Sequence, residues 1–553
     1  MIIDYLDPSA PSDVSADLCI VGAGPAGIAI AHAFIGTSTT VCLIEGGGLC
    51  GEDRSQSLYE GSSAGDLPLD AGTSRMRVFG GSCTLWGGGC IPLADSDFEA
   101  REWVPDSGWP LRYADLAPWY ERAREFCRID PSYGFGPGAF DGPPPRRPLD
   151  LDPETLANFV FARSPIMFGD TYRDSLRSAA NITVLLHANL MELEAGDGAR
   201  SVTAARIGSL DGRRGHVRAR HYVLAAGGIE NARILLLSDS VAPAGLGNDR
   251  DLVGRYFMDH PSGRIGSVVS DEPDTLSRPY ERTIGKVRAP LSAEIGLTFE
   301  AQRRHRSLNA RVHPFAVEGQ VPHGIRALRD VRAALRSPRR QDEATLLEAR
   351  LCAALQNGPD STMVTVQQSL AISAVRLGLH LGDVVKAVAQ KVADRPTVRS
   401  DRVELVGFFE QAPQRDSRIT LGDDRDALGL RRVRIDWRLN DLDRHTWHTT
   451  TVLAGERLAA ACGGRFEPAP WTRGEAEPEV HGTAHHIGTT RMADDPSQGV
   501  VDAQGKVHGV ANLHVAGSSV FPTGGWAFPT FTVIALSLRL AEQLRVLLAT
   551  GLA

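Results

Sequence analysis

His485 and His486 stand side by side in T-A-H-H-I-G-T-T-R-M, residues 483–492. A neutral imidazole can take the proton of an alcohol, because its ordinary pKa of about 6.5 leaves it mostly unprotonated near neutral pH. Further on, G-S-S-V-F-P-T-G-G-W-A-F-P-T runs from Gly517 to Thr530 and feeds the apolar stretch Val533 to Leu548, which reads as a final helix. Backbone N–H groups at Gly517, Ser518 and Ser519, with the N-terminus of that helix, predict a site for an anionic, planar group. His481 and His485 also have the four-residue spacing of a helical zinc pair. Gly482 and the absence of an H-E-x-x-H pattern argue against it, and no metal is expected.

Such side chains need a scaffold, and the N-terminus supplies its signature. D-L-C-I-V-G-A-G-P-A-G-I-A-I (from Asp17) and T-T-V-C-L-I-E-G (from Thr39) read as strand, glycine turn, helix, strand. Gly22 suits the tight turn, Gly24 leaves room for a pyrophosphate beside Pro25 and Ala26, and Gly27 lets helix pack on strand. Glu45 ends the second strand, where a carboxylate can accept hydrogen bonds from a ribose. Two later blocks have the same glycine-rich character: V-F-G-G-S-C-T-L-W-G-G-G from Val78, containing Gly80, Gly81 and Ser82, and Y-V-L-A-A-G-G-I-E-N-A-R-I-L-L-L from Tyr222, containing Gly227. Backbone can pass close to a bulky flat ligand there.

A chain of 553 residues can hold two or more domains with sizeable cores. Its net charge of -8 speaks against a nucleic-acid partner. The eight cysteines form no C-x-x-C pair, and Cys19 and Cys42 lie in apolar runs, a pattern that favours a reducing compartment. The flank before Leu18 is acidic, so no secretory signal is read and a cytoplasmic location is expected. The 303–392 stretch is too broken by charge to span a bilayer.

The glycine fingerprint, the two later blocks and the 483–548 stretch together resemble the glucose-methanol-choline (GMC) family of FAD oxidoreductases, especially its bacterial sugar- and polyol-oxidising members. The resemblance implies an α/β fold: a Rossmann-like FAD-binding domain from residues 1–100, 181–262 and 483–553, and a substrate-binding domain from 101–180 and 263–482. The latter has an antiparallel sheet and a lid or helical insertion at about 303–392. It implies FAD along Gly22, Gly24, Pro25, Ala26, Gly27, Glu45, Gly80, Gly81, Ser82, Gly227, Gly517, Ser518, Pro529 and Thr530. Some sugar-oxidising relatives tether FAD through a histidine before the tryptophan of the second block. Leu85 stands there, so non-covalent FAD is expected.

By the same resemblance His485 is the catalytic base for a small-molecule alcohol, with the C–H hydride going to flavin N5, and His486 should turn toward backbone or solvent. The family's second catalytic position, normally Asn or His just before Pro-Thr, is Phe528, which can neither donate nor accept a proton. Candidate substitutes are His486, Trp526, Thr523 and Thr530. Losing such a polar contact typically costs about 10²- to 10³-fold in rate, so a non-redox lyase or cyclisation reaction over a structural FAD stays open beside alcohol oxidation.

Other expectations are local. Asp115 reads as the N-cap of an amphipathic helix, and Gly136 to Pro153 as a loop. Asp259 and His260 are either a chemical pair or a cap for the Pro261 turn. Leu377, Leu381, Val384, Val385 and Val388 share one helical face, read chiefly as packing and alternatively as a membrane-facing or gating surface. Strand signals over Asp401 to Leu439 predict antiparallel strands in which Gln411 or Glu410 touches substrate or simply packs.

Overall fold

The computed structural model describes residues 1–135, 147–281, 283–284, 287–288, 290–319, 321–335, 376–392 and 400–550. Two eight-stranded sheets and one of three strands organise it. In the first sheet Asp13–Val21, Val41–Ile44 and Ile182–Leu186 run parallel, Arg214–Leu224 lies parallel on the other side of Asp13–Val21, and Leu513–Val515 pairs parallel with Arg214–Leu224. Leu18 to Val21 and Val41 to Ile44 are buried throughout, as strands covered on both faces require.

Gly22 turns the chain out of the first long strand with φ +101°, and helix Pro25–Ala33 starts on a proline whose fixed φ suits the first helical position. The C-terminal helix begins at Pro529, earlier than the apolar run alone indicates, and reaches Thr550. It packs on Pro25–Ala33 and on helix Tyr113–Phe126. Tyr120 joins the latter contact, stacking on Phe531 at 5.4 Å and meeting Thr532 Oγ1 at 2.9 Å.

The second sheet is antiparallel, with strands Arg465–Pro468, Ser262–Val269, Ser400–Phe409, Ala310–Glu318, Leu291–Leu297, Leu156–Arg163 and Gly89–Cys90 in that order. Each large sheet has its own apolar core. Gly89–Cys90 joins the second sheet, while helices Tyr113–Phe126 and Phe168–Ser178 pack into the core of the first. Both placements cross the boundaries at residues 100 and 180 drawn from sequence.

The strand signals over 401–439 divide between two sheets. Ser400–Phe409 is central in the antiparallel sheet, whereas Arg418–Arg425 and Arg431–Trp437 form the small sheet with Gly61–Gly65. The 303–392 stretch is not helical throughout, since Ala310–Glu318 pairs along its length with Ser400–Phe409. Helix Leu381–Val392 lies against helix His323–Leu335, but Leu381, Val385 and Val388 remain exposed, so the expected packing of that face is not seen among the described residues. Residues 336–375 of the expected lid, and 136–146 of the expected loop, lie outside the described residues. Asp115 sits at the third helical position and accepts from Arg112 N at 2.8 Å, so it closes the first turn without being the N-cap itself.

Candidate active site

A deep cavity opens along the carboxyl ends of the first sheet, where ligands of open α/β sheets bind. Its wall includes Gly22, Gly24, Pro25, Ala26, Glu45, Gly81, Ser82, Gly227, Gly517, Ser518, Pro529 and Thr530. His485 and His486 line it too. Gly27 acts from behind: a Cβ there would stand 1.9 Å from the Gly22 carbonyl oxygen. Gly80 has φ +106° and donates its N–H to Ala23 O at 2.8 Å, tying the second glycine block to the first. A Cβ on Gly24 would meet no atom of the chain within 4 Å, so this backbone faces open space, as a pyrophosphate against the helix N-terminus requires.

Glu45 is buried with its carboxylate at the cavity, and already accepts from Ala23 N at 2.9 Å and Gly47 N at 2.8 Å. Burial pushes its pKa up, against the pull of those N–H groups. Second lone pairs on both oxygens leave capacity for a ribose. Tyr59, Arg75 and Arg77 also line the cavity, with Arg75 Cζ 3.9 Å above the Tyr59 ring and ion-paired to Glu230 at 3.0 Å. Nothing in the local spacing of these three points to the cavity. They reach it because Gly61–Gly65, just after Tyr59, is held in the small sheet beside Arg431–Trp437.

His485 is held by a buried carboxylate. Asp259 accepts from the backbone N–H groups of His485 at 2.9 Å, Ala484 at 3.1 Å, Thr483 at 3.3 Å and His260 at 2.6 Å. Ala484 has φ +60°, a left-handed conformation uncommon for a side-chain-bearing residue, and these bonds secure it. Gly482 must be glycine, since a Cβ there would lie 2.7 Å from Asp259 Oδ2. Burial, opposed by the N–H donors, lifts the Asp259 pKa to about 6. Asp259 is therefore the organiser of the histidine turn, and His260, next to it, reaches His485: the two Nδ1 atoms are 2.9 Å apart. Adjacency of Asp259 and His260 in sequence was the available signal; their long-range partner was not visible there.

Helical spacing is not realised between the histidines considered for zinc. His481 lies in strand Val480–His481, paired with Ser262–Val269, and the chain turns before His485. Among the described residues no group of three or more His, Cys, Asp or Glu side chains is placed to hold a metal ion. His486 does not turn away as expected. Its ring is buried among the cavity-lining residues, tilted on Phe257 at 5.9 Å, and its Nε2 has no hydrogen-bond partner among the described residues.

Phe528 stands beside His485, with 6.2 Å between the two ring centroids. Phe161 meets it edge-on at 5.1 Å, and the Arg311 guanidinium lies 4.7 Å from its centre. Arg311 is itself paired with Glu294 at 3.1 Å and stacked on Phe408 at 3.8 Å. Of the substitutes suggested by sequence, Thr523 Oγ1 accepts from Trp109 Nε1 and donates to Asp97 O, Thr530 Oγ1 lies 3.9 Å from Cys83 Sγ and Trp526 packs edge-on against Phe159 at 5.3 Å, whereas His486 lines the cavity. Glu410 and Gln411 are occupied by the protein. Glu410 takes both Arg101 nitrogens, at 2.8 and 2.6 Å, and Asn309 N at 2.9 Å, with no surface exposed. Gln411 accepts from Asp259 N and Trp437 Nε1 and donates to Arg438 O, so its amide supports the Asp259 turn from behind.

A glycine-lined cavity on a parallel sheet, with a buried imidazole at one wall, marks a dinucleotide-dependent enzyme. Residues 413–537 match the family model described as GMC oxidoreductase. The chain is 26% identical to the 6'''-hydroxyparomomycin C oxidase of Streptomyces lividus, over 98% of this chain and 93% of that protein. It is 24% identical to the fructose dehydrogenase large subunit of Gluconobacter japonicus, over 96% and 98% of the two chains. The fold is similar to that of pyridoxine 4-oxidase from Mesorbium loti, with a TM-score of 0.56 and 17% identity over 96% of this chain and 99% of that one. Formate oxidase gives a TM-score of 0.54 at 16% identity, over 97% and 99%. Residues 413–537 thus carry the C-terminal part of a GMC oxidoreductase, the whole chain is similar to sugar- and aminoglycoside-oxidising enzymes, and the protein is an FAD-dependent oxidoreductase that acts on CH–OH groups.

Proposed function

We propose that this enzyme oxidises a hydroxyl of a sugar-like or natural-product substrate, with His485 as the base. The single observation that carries the reading is the placing of His485. Its ring lines the cavity, its Nδ1 is engaged by neighbours, and its Nε2 takes no hydrogen bond among the described residues. FAD, when bound, supplies the hydride acceptor at flavin N5. Around it the chain orients the substrate hydroxyl toward His485, which removes the proton. The relatives that act on hydroxyparomomycin C and fructose support a sugar-like substrate, whereas Phe528, Trp526 and Phe159 suit an apolar portion of it.

In this reading the first sheet and its helices hold FAD and the antiparallel sheet walls the substrate. FAD is held without a covalent bond, because Leu85 replaces the tethering histidine and packs against Met76 and Val78. No described helix is long and apolar enough to cross a membrane, and the buried free thiols, Cys19 and Cys42 among them, support the reading of a reducing, cytoplasmic location.

Two outcomes test the site. Burial above all, with His260, Arg311 and His486 nearby, holds the His485 pKa well below its ordinary 6.5. A lowered pKa keeps the base unprotonated, so the limiting rate of flavin reduction is expected to stay level as pH falls through 6.5 and to decline only at lower pH. An acid limb centred at or above 6.5 contradicts His485 as the base. Replacing Phe528 by Asn restores a polar group beside His485 and is expected to raise the rate of alcohol oxidation, at a packing cost of up to about 3 kcal/mol. An unchanged or lower rate in folded, FAD-loaded Phe528→Asn counts against that role for the position.

A further inference from the structure

Which nitrogen of His485 holds the proton decides whether it can act as a base toward the cavity. Its Nδ1 has two neighbours, His260 Nδ1 at 2.9 Å and Thr483 Oγ1 at 3.1 Å. The Thr483 hydroxyl has one hydrogen, and two stronger acceptors compete for it: the His260 carbonyl at 3.1 Å and Asp259 Oδ1 at 3.3 Å. With its hydrogen committed there, Thr483 can offer His485 only a lone pair. The proton between Thr483 and His485 must then sit on His485 Nδ1. By the same bookkeeping His260 Nδ1 is an acceptor, and its own proton is on Nε2.

The surroundings of His260 keep it neutral and fixed. Its Nε2 lies against the Gly524–Gly525 backbone, 3.0 Å from where a Cβ on Gly524 would stand, and makes no hydrogen bond of standard geometry among the described residues. Burial foremost, and Arg311 next, pushes the His260 pKa down to about 4, so the ring is neutral and keeps one acceptor nitrogen. Its backbone is fixed by Asp259, and it is 3% exposed. The ring cannot turn to solvent.

We infer that His260 is a positioning residue that accepts the Nδ1 proton of His485 and thereby leaves the lone pair of His485 Nε2 directed to the substrate. The inference rests on the reading of His485 as the base. It gives the Asp-His-Pro segment a role in the reaction that its turn-capping geometry alone does not, and it places the needed polar partner behind the base, where Phe528 cannot serve.

The test compares His260→Leu, which removes the acceptor, with His260→Asn, whose amide oxygen can replace it, in the FAD-loaded enzyme. The limiting rate of flavin reduction is expected to fall about 10- to 100-fold in His260→Leu, the usual range for losing a supporting hydrogen-bond partner. KM and FAD content should hold, and His260→Asn should recover most of the rate. Solid-state spectra of 15N-histidine-labelled protein supply a readout independent of turnover: His485 signals, identified by their loss in His485→Asn, should show the proton on Nδ1. Equal loss in the two variants, no loss in His260→Leu, or a native His485 protonated on Nε2 overturns the inference. A fast His485→Ala enzyme would instead sink the base assignment, while leaving the spectrum to report the tautomer.

Discussion

His485→Ala is expected to bind FAD and to remain folded, yet to be reduced by its alcohol substrate about 10² to 10⁴ times more slowly than the native enzyme, the usual worth of a positioned general base. The fold should tolerate the change because the turn is held by backbone N–H groups donated to Asp259, not by the imidazole. Removing the ring leaves that carboxylate with all four backbone donors. The rapid-mixing measurement should therefore separate chemistry from folding, with unchanged FAD content and a collapsed reduction rate. A rate within threefold or so of native would remove His485 from the proton transfer.

Gly24→Val is expected to yield a folded protein without FAD. The backbone at Gly24 has φ -76° and ψ -176°, open to any residue, and a Cβ there meets no other part of the chain. The new side chain instead fills the space at the start of helix Pro25–Ala33, where the pyrophosphate would approach the N–H groups. Flavin-to-protein absorbance after purification should drop to background. Thermal stability should match that of FAD-stripped native protein, since both lack the ligand's contribution. Gly27 offers no such clean separation, because a Cβ 1.9 Å from the Gly22 oxygen attacks the fold itself. A yellow Gly24→Val protein with native flavin content would mean that the pyrophosphate lies elsewhere.

Much of this site could be read from local pattern. The strand, glycine turn and helix from Asp17 onward and the glycine blocks at Val78 and Tyr222 announce themselves because close backbone approach demands particular residues at particular spacings. The wall of the cavity gathers nearly all of them. What escaped was long-range pairing. His260 and His485 are 225 residues apart and meet only because the Asp259 carboxylate gathers both turns. Glu410 and Gln411 follow a strand facing the site, and alternation alone does not reveal that Arg101 and Trp437 occupy them from other segments. Likewise Ala310–Glu318 sits among helix-rich, charged sequence, yet becomes a central strand because its neighbours on both sides supply the ladder.

The most direct measurement is anaerobic mixing of the native holoenzyme with a panel of amino-sugar, sugar and polyol alcohols, followed by flavin absorbance and by carbonyl product. Bleaching of the visible flavin band with one carbonyl formed per flavin reduced is the predicted result. Product formed while the flavin stays oxidised would contradict alcohol oxidation at this site.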